Sequence, residues 1–166
     1  MKVEVHKGYR PGCIGRVAEL HANFYHKTEG FGLVFESRVA RELAEFCERY
    51  DNERDGLWLA IADETTHGSI VIDGASKDSA GAHLRWFITS DTTRGSGNGR
   101  KLLEAALDFC DSKNCPLVYL NTFEGLDAAR HLYEALGFKL VEQAVGTQWG
   151  HEVIEQRFER TNRASN

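Results

Sequence analysis

One glycine-rich segment, set between a strand pattern and a helix pattern, restricts most strongly what this chain can fold into. Leu84–Thr89 is an apolar run of strand length, Asp91–Arg100 reads DTTRGSGNGR, and an apolar helical stripe follows from Leu102 to Cys110. Three glycines at alternating positions remove the Cβ atoms that would hold a bulky anion away from the backbone. The first N–H groups of the following helix lack an intrahelical partner and favour negative charge. The segment therefore predicts a strand-to-helix loop that binds phosphate.

Three interpretations of this loop compete. A dinucleotide-binding fold places G-x-G-x-x-G after its first strand, whereas here G-x-G-x-G comes after about half of the chain. A P-loop requires G-x-x-x-x-G-K followed by Ser or Thr, but Lys101 is followed by Leu102. An ordinary strand-to-helix turn with extra glycines remains open on the loop alone. Arg94 and Arg100 flank the glycines and can add charge-assisted hydrogen bonds to the same anion.

The spacing of apolar residues predicts both strands and helices along the chain. The predicted order is β-α-α-β-β-β-α-β-α-β-β, a mixed α/β fold. The strands lie at residues 1–7, 57–62, 69–73, 83–89, 117–123, 138–145 and 149–158, and the helices at 13–27, 39–50, 99–110 and 126–136. In the strand at 83–89, regular alternation predicts one face with Leu84, Trp86 and Ile88, and another with His83, Arg85, Phe87 and Thr89.

Length and composition favour one soluble globular domain. The chain has 166 residues, of which 42% are hydrophobic and 27% are charged, and its formal net charge is −5. We expect a single domain over residues 1–160, a polar connection at 74–81, and a polar, frayed tail over 161–166. The negative net charge disfavours nucleic acid or an anionic membrane as a partner.

The sequence carries no signal for a membrane span, a secretory leader or a metal centre. No apolar run is long enough to cross a bilayer, and the N-terminus lacks the apolar segment of a signal peptide. Cys13, Cys47, Cys110 and Cys115 show no C-x-x-C pair or metal-type spacing. Cys47 and Cys110 fall on apolar helix faces, where cysteine is usually a small buried hydrophobe. We therefore expect a cytoplasmic protein that binds no metal.

Three motifs in the second half of the chain resemble the GNAT superfamily of N-acetyltransferases. Arg94–Gly99 matches the pattern (Q/R)-x-x-G-x-(G/A) with which that family binds acetyl-CoA. Arg85–Asp91 is similar to the family's central strand and the turn after it, although Asp91 stands where many members have proline. Ala128–Phe138 is similar to the family helix with A-x-x-x-Y-x-x-x-G-F. The resemblance implies one mixed, mostly antiparallel sheet flanked by helices, with a splay between two parallel strands at its centre.

The resemblance also implies where acetyl-CoA binds, because in this family it lies in that splay, here between residues 83–89 and 117–123. Phe87, Ile88 and Thr89 would offer backbone groups to the pantetheine arm and the thioester. The pyrophosphate would accept hydrogen bonds from the backbone N–H groups of the loop, contributed by Arg94, Gly95, Ser96, Gly97, Asn98 and Gly99. Arg100 and Arg130 are candidates for phosphate contacts, although both can equally face water. Asn121 is a candidate for the cofactor arm.

The implied reaction is direct attack of an amine on the thioester carbonyl. It requires a deprotonated amine, a stabilised oxyanion and a proton for the leaving thiolate. Tyr133 resembles the family's tyrosine beside the sulfur and is the candidate general acid; the alternative is that it only packs on its helix stripe. A backbone N–H near Ile88 or Thr89 is the candidate oxyanion donor. The general base stays open, with His26, Glu29, Glu36, His83 and an ordered water as candidates.

The sequence thus predicts an acetyl-CoA-dependent N-acetyltransferase that acts on a primary amine of a small molecule or a peptide. A non-catalytic module that binds acyl-CoA as a sensor is the alternative. The early aromatic residues Phe24, Tyr25, Phe31 and Phe35 either line the acceptor pocket or belong to the core. Because members of the superfamily are often dimers, a homodimer remains open.

Overall fold

Seven strands and four helices form the part of the chain that the computed structural model describes, residues 2–75 and 81–162. They follow in the predicted order. The elements are β1 (Glu4–Lys7), α1 (Cys13–Glu29), α2 (Leu33–Glu48), β2 (Gly56–Ala62), β3 (Thr65–Asp73), β4 (Ala82–Thr89), α3 (Asn98–Ser112), β5 (Leu117–Phe123), α4 (Asp127–Ala135), β6 (Lys139–Gly146) and β7 (Val153–Thr161).

The strands form one sheet in the order β1-β2-β3-β4-β5-β7-β6. Within this sheet β4 and β5 pair in parallel, while the other neighbouring strands pair antiparallel. The parallel pair is short, because only Ala82 with Val118 and His83 with Tyr119 are in register. Beyond these two pairs the strands diverge and leave a V-shaped opening in the middle of the sheet. The mixed sheet with a central splay is therefore confirmed.

Helices cover the two faces of the sheet. On one face, Leu102 and Leu103 of α3 pack in a cluster with Ile70 of β3 and Phe158 of β7. On the other face, Phe46 of α2 belongs to a second cluster, together with residues of α1, β2 and β3. Successive residues of β2 belong alternately to the two clusters, as expected for a strand buried on both sides. The all-apolar run of β2 reflects this position between two helical layers.

A β-bulge in β4 changes which residues share a face. The register with β3 shifts between Ser69 and Val71, Trp86 has a φ of 47°, and the Ser69 hydroxyl donates to the Trp86 carbonyl at 2.7 Å. Leu84 packs on the α3 side, whereas Trp86 packs against the clusters on the α1–α2 side. Arg85 lies beside Trp86. The predicted alternation is therefore wrong, because the extra residue of a bulge reverses the faces that follow it.

Several boundaries also differ from those predicted, among them the start of α2, at Leu33 rather than 39, and the start of β7, at Val153 rather than 149. β3 begins at Thr65 rather than 69, because the turn before it needs only Asp63 and Glu64, both with positive φ. β7 runs through Thr161, and Asn162 is buried with its N–H donating to the Pro116 carbonyl at 3.2 Å. The predicted fraying is therefore wrong for residues 161 and 162. Residues 163–166 lie outside the described residues, as do residues 76–80 of the predicted polar connection.

Candidate active site

A cavity of about 120 Å³ occupies the opening between β4 and β5. Its walls come from both faces of the sheet. The lining residues are His21 and Tyr25 of α1, Phe35 and Val39 of α2, Leu84, Arg85, Trp86 and Phe87 of β4, Leu120, Asn121, Thr122 and Phe123 of β5, Tyr133 of α4, and Trp149. Because the two parallel strands diverge, one cavity extends from the aromatic residues of α1 and α2 to Tyr133 of α4.

The edge of β4 toward β5 has no strand partner after His83. Phe87, Ile88 and Thr89 lie on this open edge, where a strand offers unpaired backbone groups to an extended ligand. The Thr89 carbonyl accepts a hydrogen bond from Arg94 at 2.9 Å. The predicted backbone contacts of Phe87, Ile88 and Thr89 with a cofactor arm remain predictions, and the open edge is compatible with them.

The glycine loop turns directly into α3. Gly95 and Gly97 have φ values of 85° and 83°, in the left-handed region where a glycine carries no steric penalty. Gly97 is the N-cap residue of α3, and its carbonyl accepts the N–H of Lys101 at 3.1 Å. A Cβ built on either Gly95 or Gly97 meets no heavy atom within 4 Å, so this surface of the loop is open. The first N–H groups of α3 therefore lie at an accessible helix N-terminus.

The polar side chains of the loop bond to the loop itself. Ser96 donates to the Thr93 carbonyl, and the Asn98 amide donates to the Ser96 hydroxyl at 2.7 Å. Asn98 is buried. A Cβ added to Gly99 would be in ordinary van der Waals contact with the side chains of Leu132 and Phe87. These contacts fix the loop's shape and leave its backbone, rather than these side chains, to face a ligand.

A hydrogen-bonded cluster that the sequence interpretation missed holds the start of this loop. The Ser90 hydroxyl lies 3.2 Å from Nδ1 of His67, 3.0 Å from the Thr92 hydroxyl and 3.1 Å from the Thr93 hydroxyl. The Ser90 N–H donates to the His67 carbonyl at 2.6 Å. The run of hydroxyl residues before the first glycine was the available signal. Its histidine partner comes from β3 and could not be seen in the local sequence.

The three predicted phosphate-contacting arginines each have a carboxylate partner within the chain. Arg94 pairs with Asp91 and lies 4.8 Å from the centre of the Phe24 ring. Arg100 pairs with Glu104 at 2.6 Å, and Arg130 with Glu134 at 2.9 Å. All these pairs are solvent-exposed, where an ion pair contributes little and exchanges partners readily. The predicted phosphate contacts of Arg94, Arg100 and Arg130 therefore remain predictions.

Tyr133 is placed by a Schellman motif at the end of α4. The Phe138 N–H donates to the Tyr133 carbonyl at 2.9 Å and the Gly137 N–H to the Glu134 carbonyl at 3.2 Å, with Gly137 at a φ of 99°. The tyrosine ring packs against Phe87, Phe138 and Phe158 and is 94% buried. Tyr133 therefore both packs in the core and lines the cavity.

Burial sets the protonation state of the Tyr133 hydroxyl. Desolvation raises the pKa of Tyr133 well above its ordinary value, and the nearby Tyr25 raises it further. Among the described residues, the structure records no hydrogen bond to this hydroxyl, so its proton is available to a molecule in the cavity. The phenol thus holds a proton at neutral pH, as a general acid must.

His21 has the opposite protonation behaviour. Its Nδ1–H donates to the Val17 carbonyl at 2.8 Å, which leaves the lone pair on Nε2. Burial lowers the pKa of His21 to about 4. His21 is not among the base candidates from the sequence, but the fold brings it to the cavity wall.

The base candidates from the sequence are not brought to the cavity. His83 stacks on Tyr119 with 4.5 Å between ring centres, and burial lowers its pKa to about 3. His26 lies 2.8 Å from the Phe31 carbonyl, and neither it nor Glu29 or Glu36 is part of the lining. Asn121, in contrast, lines the cavity, and its contact with the cofactor arm remains a prediction.

Comparison with known proteins identifies the class that this fold and loop define. Residues 16–138 match the family model described as the acetyltransferase (GNAT) family, and the chain belongs to that family. GNAT enzymes use acetyl-CoA. The predicted family is therefore confirmed.

Two curated relatives match most of the chain but are much longer. N-acetylaspartate synthetase from Homo sapiens is 27% identical over 129 residues, which cover 76% of this chain and 42% of the relative. The same enzyme from Xenopus tropicalis is 28% identical over 116 residues, which cover 67% of this chain and 42% of the relative. The chain thus spans less than half the length of these relatives.

Solved structures share the fold over nearly the whole chain. PH1933 from Pyrococcus horikoshii OT3 has a TM-score of 0.75 at 21% identity and covers 98% of this chain and 99% of its own. The protein yncA from Salmonella typhimurium, solved with its cofactor acetyl-CoA, has a TM-score of 0.77 at 13% identity, and the match covers 97% of this chain and 94% of that chain. These similarities confirm the predicted fold class.

Two negative observations apply to residues 2–75 and 81–162. No helix in this part of the chain has the length and apolar character needed to span a membrane. The same part contains no group of three or more histidine, cysteine, aspartate or glutamate side chains placed to hold a metal ion.

Proposed function

We propose that the chain is an N-acetyltransferase that moves the acetyl group of acetyl-CoA to a primary amine of a small molecule or a peptide. One observation carries this proposal: a single cavity connects the open edge of β4 with Tyr133, a buried and protonated phenol. A protein that only binds acyl-CoA needs the strand edge and the glycine loop, but it does not need a proton donor in the same cavity.

The residues present fit acetyl-CoA. The N-terminus of α3 and the open side of Gly95 and Gly97 suit a pyrophosphate, because backbone N–H groups can approach it closely. The unpaired edge at Phe87, Ile88 and Thr89 suits the amide groups of a pantetheine arm, which can pair with a strand as another strand does. Arg94, Arg100 and Arg130, each paired with an exposed carboxylate three or four residues away, are the candidates for contacts with the phosphates.

The chain's own groups can meet the demands of the reaction. Acetyl-CoA supplies a thioester carbon that accepts an amine nitrogen, so that a C–N bond forms and the C–S bond breaks. A backbone N–H on the open part of β4 stabilises the negative charge that develops on the carbonyl oxygen. Tyr133 gives its proton to the departing sulfur. The lone pair on Nε2 of His21 accepts a hydrogen bond from the amine and orients it. The nitrogen gives up its extra proton to solvent as the amide forms, and the Tyr133 phenolate takes up a proton from solvent, so that the protons balance.

The test of this proposal is Tyr133→Phe. Loss of the phenol proton should lower kcat for thiol release by about 10²-fold, within the usual range for a general acid, while acetyl-CoA affinity stays unchanged. Thiol release would be followed across amino acids, diamines, aminoglycosides and lysine peptides, and affinity by calorimetry. Tyr50→Phe is the matched control, because Tyr50 is a half-buried tyrosine that packs on Phe46, outside the cavity.

Two outcomes would contradict the proposal. Equal kcat in wild type and Tyr133→Phe would leave Tyr133 as a packing residue only. Acetyl-CoA binding without thiol release on any acceptor would favour the sensor module instead. A cytoplasmic location and a homodimer belong to the same proposal, and both can be tested by fractionation and by light scattering.

A further inference from the structure

A second cavity, of about 160 Å³, adjoins the first on the same side of the molecule as α2. Asn121 lines both cavities. The other lining residues come from the last hairpin and its loop, and they are Glu142, Ala144, Gln148, Glu155, Gln156 and Arg157. Gln148 is held in place by Arg38 of α2, which donates to its carbonyl at 2.8 Å and to its side-chain oxygen at 3.2 Å. A ligand in the first cavity can therefore extend past Asn121 into the second.

Glu155 contributes an unsatisfied acceptor to this second cavity. Its Oε1 atom is buried and has no hydrogen-bond partner among the described residues. The carboxylate lies over Gly146, where an added Cβ would be only 2.3 Å from Cδ of Glu155. The glycine thus leaves the space that the carboxylate occupies. A buried carboxylate oxygen without a donor is costly, so this position calls for a cationic or N–H group.

The cation in this lining does not supply that donor. Nε of Arg157 pairs with Glu159 at 2.9 Å, and its guanidinium lies 4.0 Å from the centre of the Tyr119 ring. Arg157 therefore points along β7 away from Glu155. Glu142 takes part in no ion pair among the described residues, so it adds a second negative charge to the lining.

We propose that Glu155 binds a second cationic group of the acceptor, and that the acceptor is therefore a diamine or a longer polyamine. This inference rests on the proposed acetyltransferase function. Glu155 pairs in register with Phe123, so it lies one strand beyond β5, whereas the first cavity lies between β4 and β5. The first cavity and Glu155 are thus separated by one and a half strand spacings, which is about 7 Å. A chain of four or five methylene groups between two amines spans this distance.

The experiment compares acceptors that differ only in the second charge. Values of kcat/KM for 1,4-diaminobutane and 1,5-diaminopentane, from thiol release, should exceed that for n-pentylamine by about tenfold or more. Glu155→Gln should remove this preference, mainly through KM, and leave n-pentylamine unchanged. Gly146→Ala should have the same effect, because its Cβ displaces the carboxylate. Glu48→Gln, an equal change of charge on an exposed part of α2, should leave all three values unchanged.

Several results would overturn the assignment of Glu155. One is equal kcat/KM for mono- and diamines, and another is an equal effect of Glu155→Gln on both. A third is a preference for aspartate, the amino acid contained in the relatives' name, N-acetylaspartate synthetase. If no acceptor releases thiol while acetyl-CoA still binds, the acetyltransferase proposal fails on its own. Calorimetry of 1,5-diaminopentane binding then tests Glu155 separately. Binding to the wild type that is lost in Glu155→Gln supports the site, and absence of binding to the wild type overturns it. Circular dichroism confirms that each variant is folded.

Discussion

At the scale of single residues, burial gives Tyr133 and His21 complementary protonation states. Desolvation raises the pKa of Tyr133 and lowers that of His21 to about 4, because burial disfavours whichever form is charged. At neutral pH the tyrosine therefore holds a proton and the histidine lacks one. A phenol that can donate and an imidazole that can accept thus line the same cavity.

The neutral state of His21 predicts a pH dependence of stability. In the unfolded chain His21 takes up a proton below about pH 6.5. In the folded chain it takes up that proton only below about pH 4. Stability is therefore complete above pH 6.5 and falls as the pH decreases toward 4, by about 2 kcal/mol at pH 5 from this residue alone. His21→Asn, which keeps a donor for the Val17 carbonyl, should reduce this fall. Urea unfolding at pH 7, 6 and 5 measures it.

The comparison of slopes separates this effect from a general loss of stability. If the free energy of unfolding of His21→Asn is lower by the same amount at all three pH values, the substitution has altered packing and nothing more. A slope between pH 5 and 6 that equals the wild-type slope would show that His21 takes up its proton in the folded protein. His83, whose pKa burial also lowers, is present in both proteins and so cancels.

At the scale of elements, the bulge in β4 determines which groups reach the cavity. It turns Trp86 toward α1 and α2 while Phe87 packs on the other side near Tyr133. The Ser69 hydroxyl, fully buried, satisfies the Trp86 carbonyl at the bulge. The open edge of β4 therefore depends on a hydrogen bond from the neighbouring strand.

Ser69→Ala should destabilise the protein and impair the site. A buried carbonyl that loses its donor costs about 1–2 kcal/mol, which urea unfolding should detect. Because the bulge then relaxes, KM for acetyl-CoA should rise and kcat should fall. Ser112→Ala removes a hydroxyl bonded to the Phe109 carbonyl at the end of α3 and is the control for a lost side-chain hydrogen bond. Unchanged kinetics in Ser69→Ala would mean that the bulge persists without this bond.

Local patterns could be predicted from the sequence, and contacts between distant segments could not. The glycine loop and the A-x-x-x-Y-x-x-x-G-F helix lie in continuous stretches, so their residue types indicated a strand-to-helix loop and a helix that ends at Gly137. Phosphate binding by the loop remained one of several interpretations on the residues alone. The bulge at Trp86 carries no glycine or proline, and regular alternation was therefore expected. The contact of His67 with Ser90, and the position of Glu155 beside Asn121, depend on strand pairing that no local pattern specifies.

At the scale of the whole molecule, ligand binding should appear as added stability. A ligand that binds the folded state at 100 times its Kd stabilises it by about 2.7 kcal/mol, which raises Tm by about 5–10 °C for a chain of this size. Acetyl-CoA should produce this shift in the wild type. Gly97→Val should lose most of it, because a branched side chain at a φ of 83° covers the open side of the loop.

Gly8→Val provides the matched control for that measurement. Gly8 also has a positive φ, 109°, and a Cβ added to it would meet no heavy atom within 4 Å. It lies in the turn after β1, at the edge of the sheet. Both variants should lose intrinsic stability, since a β-branched residue is strained in this conformation. Only Gly97→Val should lose the shift with acetyl-CoA. Equal shifts in the two variants would contradict close backbone contact at Gly97.

β4 and β5 meet at only two residue pairs, and this short junction divides the sheet into two halves. Each half is built from a different continuous segment of the chain. Residues up to 89 build β1 to β4, and residues from 117 onward build β5 to β7. The glycine loop and α3 are the segment that connects these halves. The proposed donor-binding segment is thus also the covalent link between the half-sheets, and α3 packs in one cluster with Ile70 of the first half and Phe158 of the second. Substitutions in this segment should therefore change both ligand affinity and the stability of the junction. Faster amide exchange along β4 and β5 would report a weakened junction.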